Sequence, residues 1–356
     1  MSYWADRHRP DTLGQLDLHG ETSTRLRKMV ASGDFPHLMF YGPSGAGKKT
    51  LALATLRELY GPGVARVCVE QRSFEVATKK KKKRLVEVPV ACSNYHIEMS
   101  PSDAGINDHH VVQQVISEIA QTHTLDARNH CSFRVVVLNE VDRLSKHAQH
   151  ALRRTMEKYT ATCRLVLLCK SACRVMDPLR SRCLMVRVPA PTVEQVAGVL
   201  HAVAKKESVE LPDKLARRAA EMSGRNLRKA LLSLEACKAA HHPLTDDQAV
   251  RVADWEYFVD DMARLLVEEQ SPQRLLLLRN KTYELITNCI PPQIVLKSLV
   301  MSLLRRVNND QIKVEVVQTA AVFEHRLHTG AKPIFHIEAF MARFAAIYKR
   351  QQAAAT

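Results

Sequence analysis

Hydrophobic positions along this chain follow one rule up to about residue 190 and another beyond it. In the first stretch, short apolar runs alternate with helix-like segments. His37-Leu38-Met39-Phe40-Tyr41 reads as a buried strand, and Thr50 to Tyr60 as a helix stopped by Gly61-Pro62-Gly63. Ser93 to Met99 is strand-like. A helix follows with Val111, Val112, Val115, Ile116 and Ile119 on one face. Arg134-Val135-Val136-Val137-Leu138 is the run richest in β-formers. Lys146 to Tyr159 predicts another helix, and Arg164 to Cys169 and Leu184 to Val188 two further strands. Strands alternating with helices predict a parallel sheet with helices on both faces.

The pattern changes at Pro189-Ala190-Pro191. Thr192-Val193-Glu194-Gln195 has the spacing of a capping box, in which Thr and Gln satisfy each other's backbone N–H groups. Helical segments then recur, broken at Pro212, Gly224 and His242-Pro243. Ser271-Pro272 and Pro291-Pro292 predict helix starts with proline in the first turn. The expected organisation is an α/β nucleotide-binding domain over 1–190, a small helical lid over 191–250 and an all-helical C-terminal domain over 251–356.

Composition narrows the class. Of 356 residues, 46% are apolar, which suits a globular chain, and no apolar run nears the ~20 residues that span a bilayer. The start, Met1 to Arg7, lacks the basic region and apolar core of a signal peptide, so a cytosolic or nuclear protein is expected. Nine cysteines occur without a C-x-x-C pair. Cys163, Cys169, Cys173 and Cys183 read as small residues in or beside buried strands, with a zinc site as the sharper alternative. Lysine and arginine outnumber the acids 52 to 37, a net charge of +15, which favours polyanionic partners. Lys79 to Arg84 form a basic run read as an exposed loop. Nuclear import, a DNA contact and plain solvation all remain open for it.

The candidate chemistry lies between the first strand and helix. Gly42-Pro43-Ser44-Gly45-Ala46-Gly47-Lys48-Lys49-Thr50 follows the phosphate-binding pattern Gly-x-x-x-x-Gly-Lys-[Ser/Thr] except at its last position. Such a loop aims backbone N–H groups and a helix N-terminus at phosphate oxygens. The hydroxyl expected at Lys49 would hold Mg²⁺, and an ammonium repels it. Thr50 is no substitute, because one helical residue turns the side chain by ~100°. The strand Val135 to Leu138 runs into Asn139-Glu140-Val141-Asp142. Asn139 stands where a metal-holding Asp is wanted, and an amide is a poor magnesium ligand. Glu140 is placed to polarise a water, and Asp142 reads as a surface acid. Both departures weaken the same function.

These motifs, in this order, resemble the clamp-loader branch of the AAA+ ATPases, and within it the small subunits of eukaryotic replication factor C. Trp4 to Pro10 is similar to the segment that packs beside adenine. Gly42 to Thr50 matches the variant loop of one subunit type, lysine included. Asn139 to Asp142 stands where most siblings have Asp-Glu-Ala-Asp. Ala148 to Glu157 resembles the central helix, Ser181-Arg182-Cys183 the Ser-Arg-Cys box, and Asn226 to Leu231 the sensor-2 helix. The last ~100 residues carry no readable motif, though a collar of helices fits them.

The resemblance implies an AAA+ fold with a lid and a collar, and ATP or ADP held by Arg9, Pro10, Gly42 to Thr50 and Arg228. The resemblance leaves Mg²⁺ open at this subunit's own site, and no residue is assigned to metal. Arg182 is implied as an arginine finger acting in trans on a neighbour's ATP, with Glu140 a weaker candidate in cis. Lys170 replaces a polar sensor and could contact phosphate or disable the sensor. Arg153 and Arg154 would follow the DNA backbone, or else form a solvated face or an intersubunit ion pair. The implied partners are the other subunits of a pentamer, the sliding clamp (PCNA) and primer–template DNA, in the nucleus and without a membrane. The clamp would be met at the base of the α/β domain, near the helix ending around Ile119 to Leu125. Three readings follow: a clamp-loader subunit with a weak site and a finger in trans, an ATPase active in cis, and a structural subunit with a vestigial site.

Overall fold

The structure, a computed structural model, describes residues 3–33, 35–77, 83–102, 105, 108–121, 133–160, 162–241, 243–330 and 332–355. It divides into two compact units, Met1–Val250 and Arg251–Thr356.

The first unit is built on a seven-stranded sheet in the order β2-β3-β4-β5-β6-β1-β7. Strands β4 (His96–Met99), β5 (Arg134–Leu138), β6 (Cys163–Cys169), β1 (Leu38–Tyr41) and β7 (Leu184–Arg187) run parallel. Their side chains alternate between two cores. Met39, Val136, Leu138, Leu165 and Leu167 face α4 (Asp108–Gln121) and α5 (Lys146–Lys158). Leu38, Phe40, Val135, Val137 and Val166 face α2 (Gly20–Ala31) and α3 (Lys48–Tyr60). A sheet buried on both faces explains why these strands read as continuous apolar runs.

The sheet is larger than its sequence pattern predicts. Strands β2 (Cys68–Ala77) and β3 (Lys83–Cys92) pair antiparallel over ten residues, and β3 pairs antiparallel with β4. The basic run therefore does not sit between irregular segments. Lys83 and Arg84 begin β3, while Lys79 to Lys82 lie outside the described residues. The edge strand escaped detection because it is mostly solvated. Val69 is 73% exposed, and among the side chains described in β2 only Phe74 is buried. The signal in β3 is the alternation of Val86, Val88 and Val90, interrupted by Pro89.

Helix α4 ends at Gln121, and the 122–132 stretch lies outside the described residues, including most of the segment expected to meet the clamp. Of the cysteines, Cys163, Cys169 and Cys183 are buried, but Cys173 is exposed in the short turn Ala172–Arg174, and Cys131 is not described. Burial pushes the Cys163 and Cys183 thiols up to about 12, which leaves them inert. No cluster of three metal-ligating side chains occurs among the described residues.

The lid follows as α7 (Val193–Lys206), α8 (Asp213–Met222) and α9 (Leu227–Ala240). The capping box forms as its spacing predicts: Gln195 N–H donates to Thr192 Oγ1 at 3.2 Å, and Thr192 N–H to Gln195 Oε1 at 2.9 Å. Trp4, in the short helix α1 (Trp4–Arg7), buries its indole in the lid core beside Val196, Leu200 and Leu234.

The second unit contains α10 (Asp254–Glu268), α11 (Pro272–Thr287), α12 (Pro292–Arg306), α13 (Asp310–Thr329) and α14 (Pro333–Ala355). Helices α11 and α12 begin at the predicted prolines, and Ser271 Oγ caps α11 by accepting from Arg274 N–H at 3.2 Å. Leu278, Leu299, Phe340 and Phe344 form its core. Among the described residues no helix is long and apolar enough to cross a membrane.

Candidate functional site

The loop Gly42–Gly47 joins the C-terminal end of β1, which lies between β6 and the edge strand β7, to the N-terminus of α3. Three glycines make its path possible. Gly42, Gly45 and Gly47 have φ of 154°, 74° and 93°, which L side chains rarely adopt. A Cβ on Gly42 would lie 1.9 Å from the Val188 carbonyl oxygen, and one on Gly45 1.8 Å from Asn226 Oδ1. Around Gly47 nothing lies within 4 Å of such a Cβ, so space is open before the helix.

That helix start is electrostatically unusual. Lys48 and Lys49 open α3, and its first turn carries no acid. Cations there oppose the helix dipole at ~0.3–1 kcal/mol each. Lys48 Nζ donates to the carbonyls of Gly42 and Pro43, both at 2.7 Å. Burial holds its ammonium below the usual lysine range and Lys170 adds to this, while Cys169, Asp142 and Glu140 oppose it. A partly desolvated lysine on an open glycine cradle is suited to an anion. Pro43 and Ser44 are exposed, Ala46 is buried, and Thr50 is half-buried on the first turn. His19 Nε2 donates to the Ala46 carbonyl at 3.0 Å and pins the loop from below.

The two departures from the motif meet at one side chain that no motif marks. Glu98, near the end of β4, forms an ion pair with Lys49 through Oε1. The same oxygen accepts from Asn139 Nδ2 at 2.8 Å. The Glu98 side chain is only 12% exposed. A magnesium ion does not fit this donor set: the hydroxyl position holds an ammonium, the acid position holds an amide turned to donate, and the nearby carboxylate is engaged by both.

Glu140 is equally occupied. It sits at φ 50° in the left-handed region after β5. Lys170 Nζ lies 3.1 Å from its Oε1, and Arg143 Nη1 2.8 Å from its Oε2. Asp142, half-buried, accepts from the Lys170 backbone N–H through Oδ1 at 3.2 Å. Sequence reasoning placed Glu140 and Lys170 in the site but gave no hint of this pairing, nor of Arg143.

The lid closes one side. Asn226 caps α9 by accepting from Lys229 N–H at 3.1 Å, and Leu227 N–H donates to the Gly45 carbonyl at 3.2 Å. Arg228 Nη2 donates to Asp6 Oδ1 at 2.8 Å, and Arg9 lies 3.7 Å from that oxygen. Asp6 thus joins the N-terminal segment, with half-buried Arg9 and Pro10, to the helix carrying Arg228.

Arg182 follows the short helix α6 (Asp177–Arg180). Its Nη1 donates to the Pro178 carbonyl at 2.7 Å, and its Nη2 lies 2.5 Å from Glu157 Oε1. Arg153 Nε meets the same oxygen at 3.3 Å. Arg153 and then Arg182 hold the Glu157 carboxyl below its ordinary range. Arg154 is exposed on α5.

Three family profiles match in succession: "DNA polymerase III, delta subunit" over residues 18–192, "RCF1/5-like, AAA+ ATPase lid domain" over 198–239, and "Replication factor C subunit 3, C-terminal domain" over 255–352. Replication factor C subunit 3 of Bos taurus is 51% identical over 98% of this chain and 97% of its own length, and that of Homo sapiens is equally similar. Among solved structures, a mutant of the RuvB protein of Thermotoga maritima overlays with a TM-score of 0.50 at 17% identity, covering 73% of this chain and 79% of that one. At that identity the likeness speaks to the AAA+ fold alone.

Proposed function

This chain belongs to the family of replication factor C subunits, and from that premise we propose that it is a non-autonomous subunit of a nuclear, pentameric clamp loader. The assembly uses ATP to open the ring-shaped sliding clamp and place it on primer–template DNA, in replication and in repair. This subunit holds ATP or ADP on Gly42–Thr50, with Lys48 on the phosphates and Arg9, Pro10 and Arg228 closing the site. It turns nucleotide over poorly.

The observation that carries this reading is the engagement of Glu140. A carboxylate with Lys170 on one oxygen and Arg143 on the other is turned toward two cations rather than toward an incoming water. This pairing tells against the reading of an ATPase active in cis. The reading of a vestigial site is opposed by the open, glycine-built cradle with two lysines at its helix start.

Arg182 supplies hydrolysis elsewhere. Its tie to Glu157 is a surface ion pair, screened by solvent, so a neighbour's phosphate can displace it. A planar guanidinium then grips phosphate oxygens in two places. The basic excess and Arg153 and Arg154 supply the attraction to DNA. Exposed apolar side chains on the C-terminal helices, among them Val314, Val317 and Phe335, suit a collar that packs on other subunits. In the reconstituted complex, Arg182→Ala is expected to lower ATPase about tenfold or more while leaving assembly intact on gel filtration. Unchanged turnover would remove the role in trans.

A further inference from the structure

The same side chains that exclude magnesium put another cation in its place. We propose that this site binds nucleotide without a divalent metal, the Lys49 ammonium, held by Glu98, supplying the positive charge. The inference rests on the reading above that the loop holds a nucleotide phosphate.

Three observations converge. First, Lys49 is the second residue of α3, directly after the phosphate-cradle lysine, where a loop of this type presents its metal-holding hydroxyl. Its side chain is 43% exposed, so the ammonium stands at an accessible position rather than in the core. Second, Glu98 fixes where it points. Glu98 is nearly buried and lies on β4, beside β5 in the sheet. Third, Asn139 follows β5, and its amide donates to the same Glu98 oxygen. An Asp at 139 would set a second carboxylate against Glu98 at hydrogen-bond distance, a repulsion that a metal ion or a protonated acid would have to relieve. The amide removes the repulsion and a lysine supplies the charge. Lys49, Glu98 and Asn139 form one unit, satisfied from within the chain.

Charge balance points the same way. Around the cradle, Lys48, Lys49, Lys170 and Arg143 face Glu98, Glu140 and Asp142, a set with one cation in excess in which Glu98 and Glu140 are already paired. A polyphosphate entering here meets Lys48 and Lys49 together. A divalent ion would meet the Lys49 ammonium at the position it needs. A compact, strongly hydrated point charge on a flexible stem can serve the β phosphate without the octahedral oxygen set that magnesium demands.

The test is equilibrium binding of a fluorescent ADP analogue to the full chain, with magnesium and with EDTA. The expected affinities agree within about threefold. Lys49→Thr is expected to weaken binding in EDTA about tenfold, with magnesium recovering most of the loss. Lys49→Ala is expected to lose about as much in EDTA while remaining folded by circular dichroism. Parent-chain binding that needs magnesium overturns this inference and leaves the nucleotide site standing. The same holds for a Lys49→Thr chain that binds in EDTA as well as the parent does. No binding under either condition overturns both.

Discussion

Gly45 and Asn226 touch so closely that the phosphate loop and the lid helix fix each other's position. A Cβ at residue 45 would lie 1.8 Å from Asn226 Oδ1 and 2.3 Å from its Cγ, and that oxygen already caps α9. Gly45→Ala must therefore turn the Asn226 side chain off its cap or push α9 away, and force a side chain into the left-handed region. Overpacking costs ~1–3 kcal/mol and left-handed strain ~1–2 kcal/mol more. Urea unfolding is expected to report a loss of that order. Asn226→Ala should cost ~1 kcal/mol through the lost cap, yet it clears the space beside residue 45. The double substitution is expected to cost less than the sum of the two. Strict additivity would mean that the lid does not bear on the loop.

Glu140 gives a second prediction. Held between Lys170 and Arg143, it is not poised to activate water. Glu140→Gln in the reconstituted complex is expected to leave steady-state ATPase within about twofold, where loss of a working general base costs ~10²–10⁴. A loss on that scale would return catalysis to this subunit.

The sequence showed the sheet's parallel centre and the helix starts at Thr192, Pro272 and Pro292, though not those at Pro178 and Pro333, because burial on both faces and cap chemistry leave local signatures. It did not show the β2–β3 pair. The exposed edge strand obeys no apolar rule, and the long ladder is set by pairing with a neighbour rather than by its own residues. In the site, Lys49 and Asn139 were legible as departures from a motif. What links them was not, since Glu98 belongs to no motif and reaches both only through the order of strands in the sheet. The same holds for Asp6, which meets Arg228 from the far end of the unit's sequence.

Arg153 and Arg154 are adjacent on α5 but differently engaged. Arg153 shares Glu157 with Arg182, while Arg154 is exposed. If both follow the DNA backbone, binding by the complex weakens as salt rises, through counterion release. Arg154→Ala is expected to reduce the slope of log affinity against log salt by about 1, and Arg153→Ala by less, since part of its charge is already neutralised. Identical slopes for the parent complex and both variants would remove backbone contact by this helix.

His37 makes the stability of the α/β unit depend on pH. It is buried just before β1, and its Nδ1 accepts from the Leu165 backbone N–H at 3.0 Å, so the ring is neutral with its proton on Nε2. Burial, reinforced by the Arg164 guanidinium, brings it from 6.5 down to about 4. Between these values the unfolded chain takes up a proton that the folded chain refuses. The stabilisation is complete above 6.5 and is lost as pH falls toward 4. Its size is on the order of 1–3 kcal/mol. Urea midpoints measured at about pH 7 and about pH 4.5 should therefore differ, and His37→Asn, which keeps an acceptor but cannot titrate, should narrow the difference. His96, also buried and shifted down by burial, contributes in the same direction and remains in the variant. A pH dependence unchanged by His37→Asn would place the whole effect on other groups.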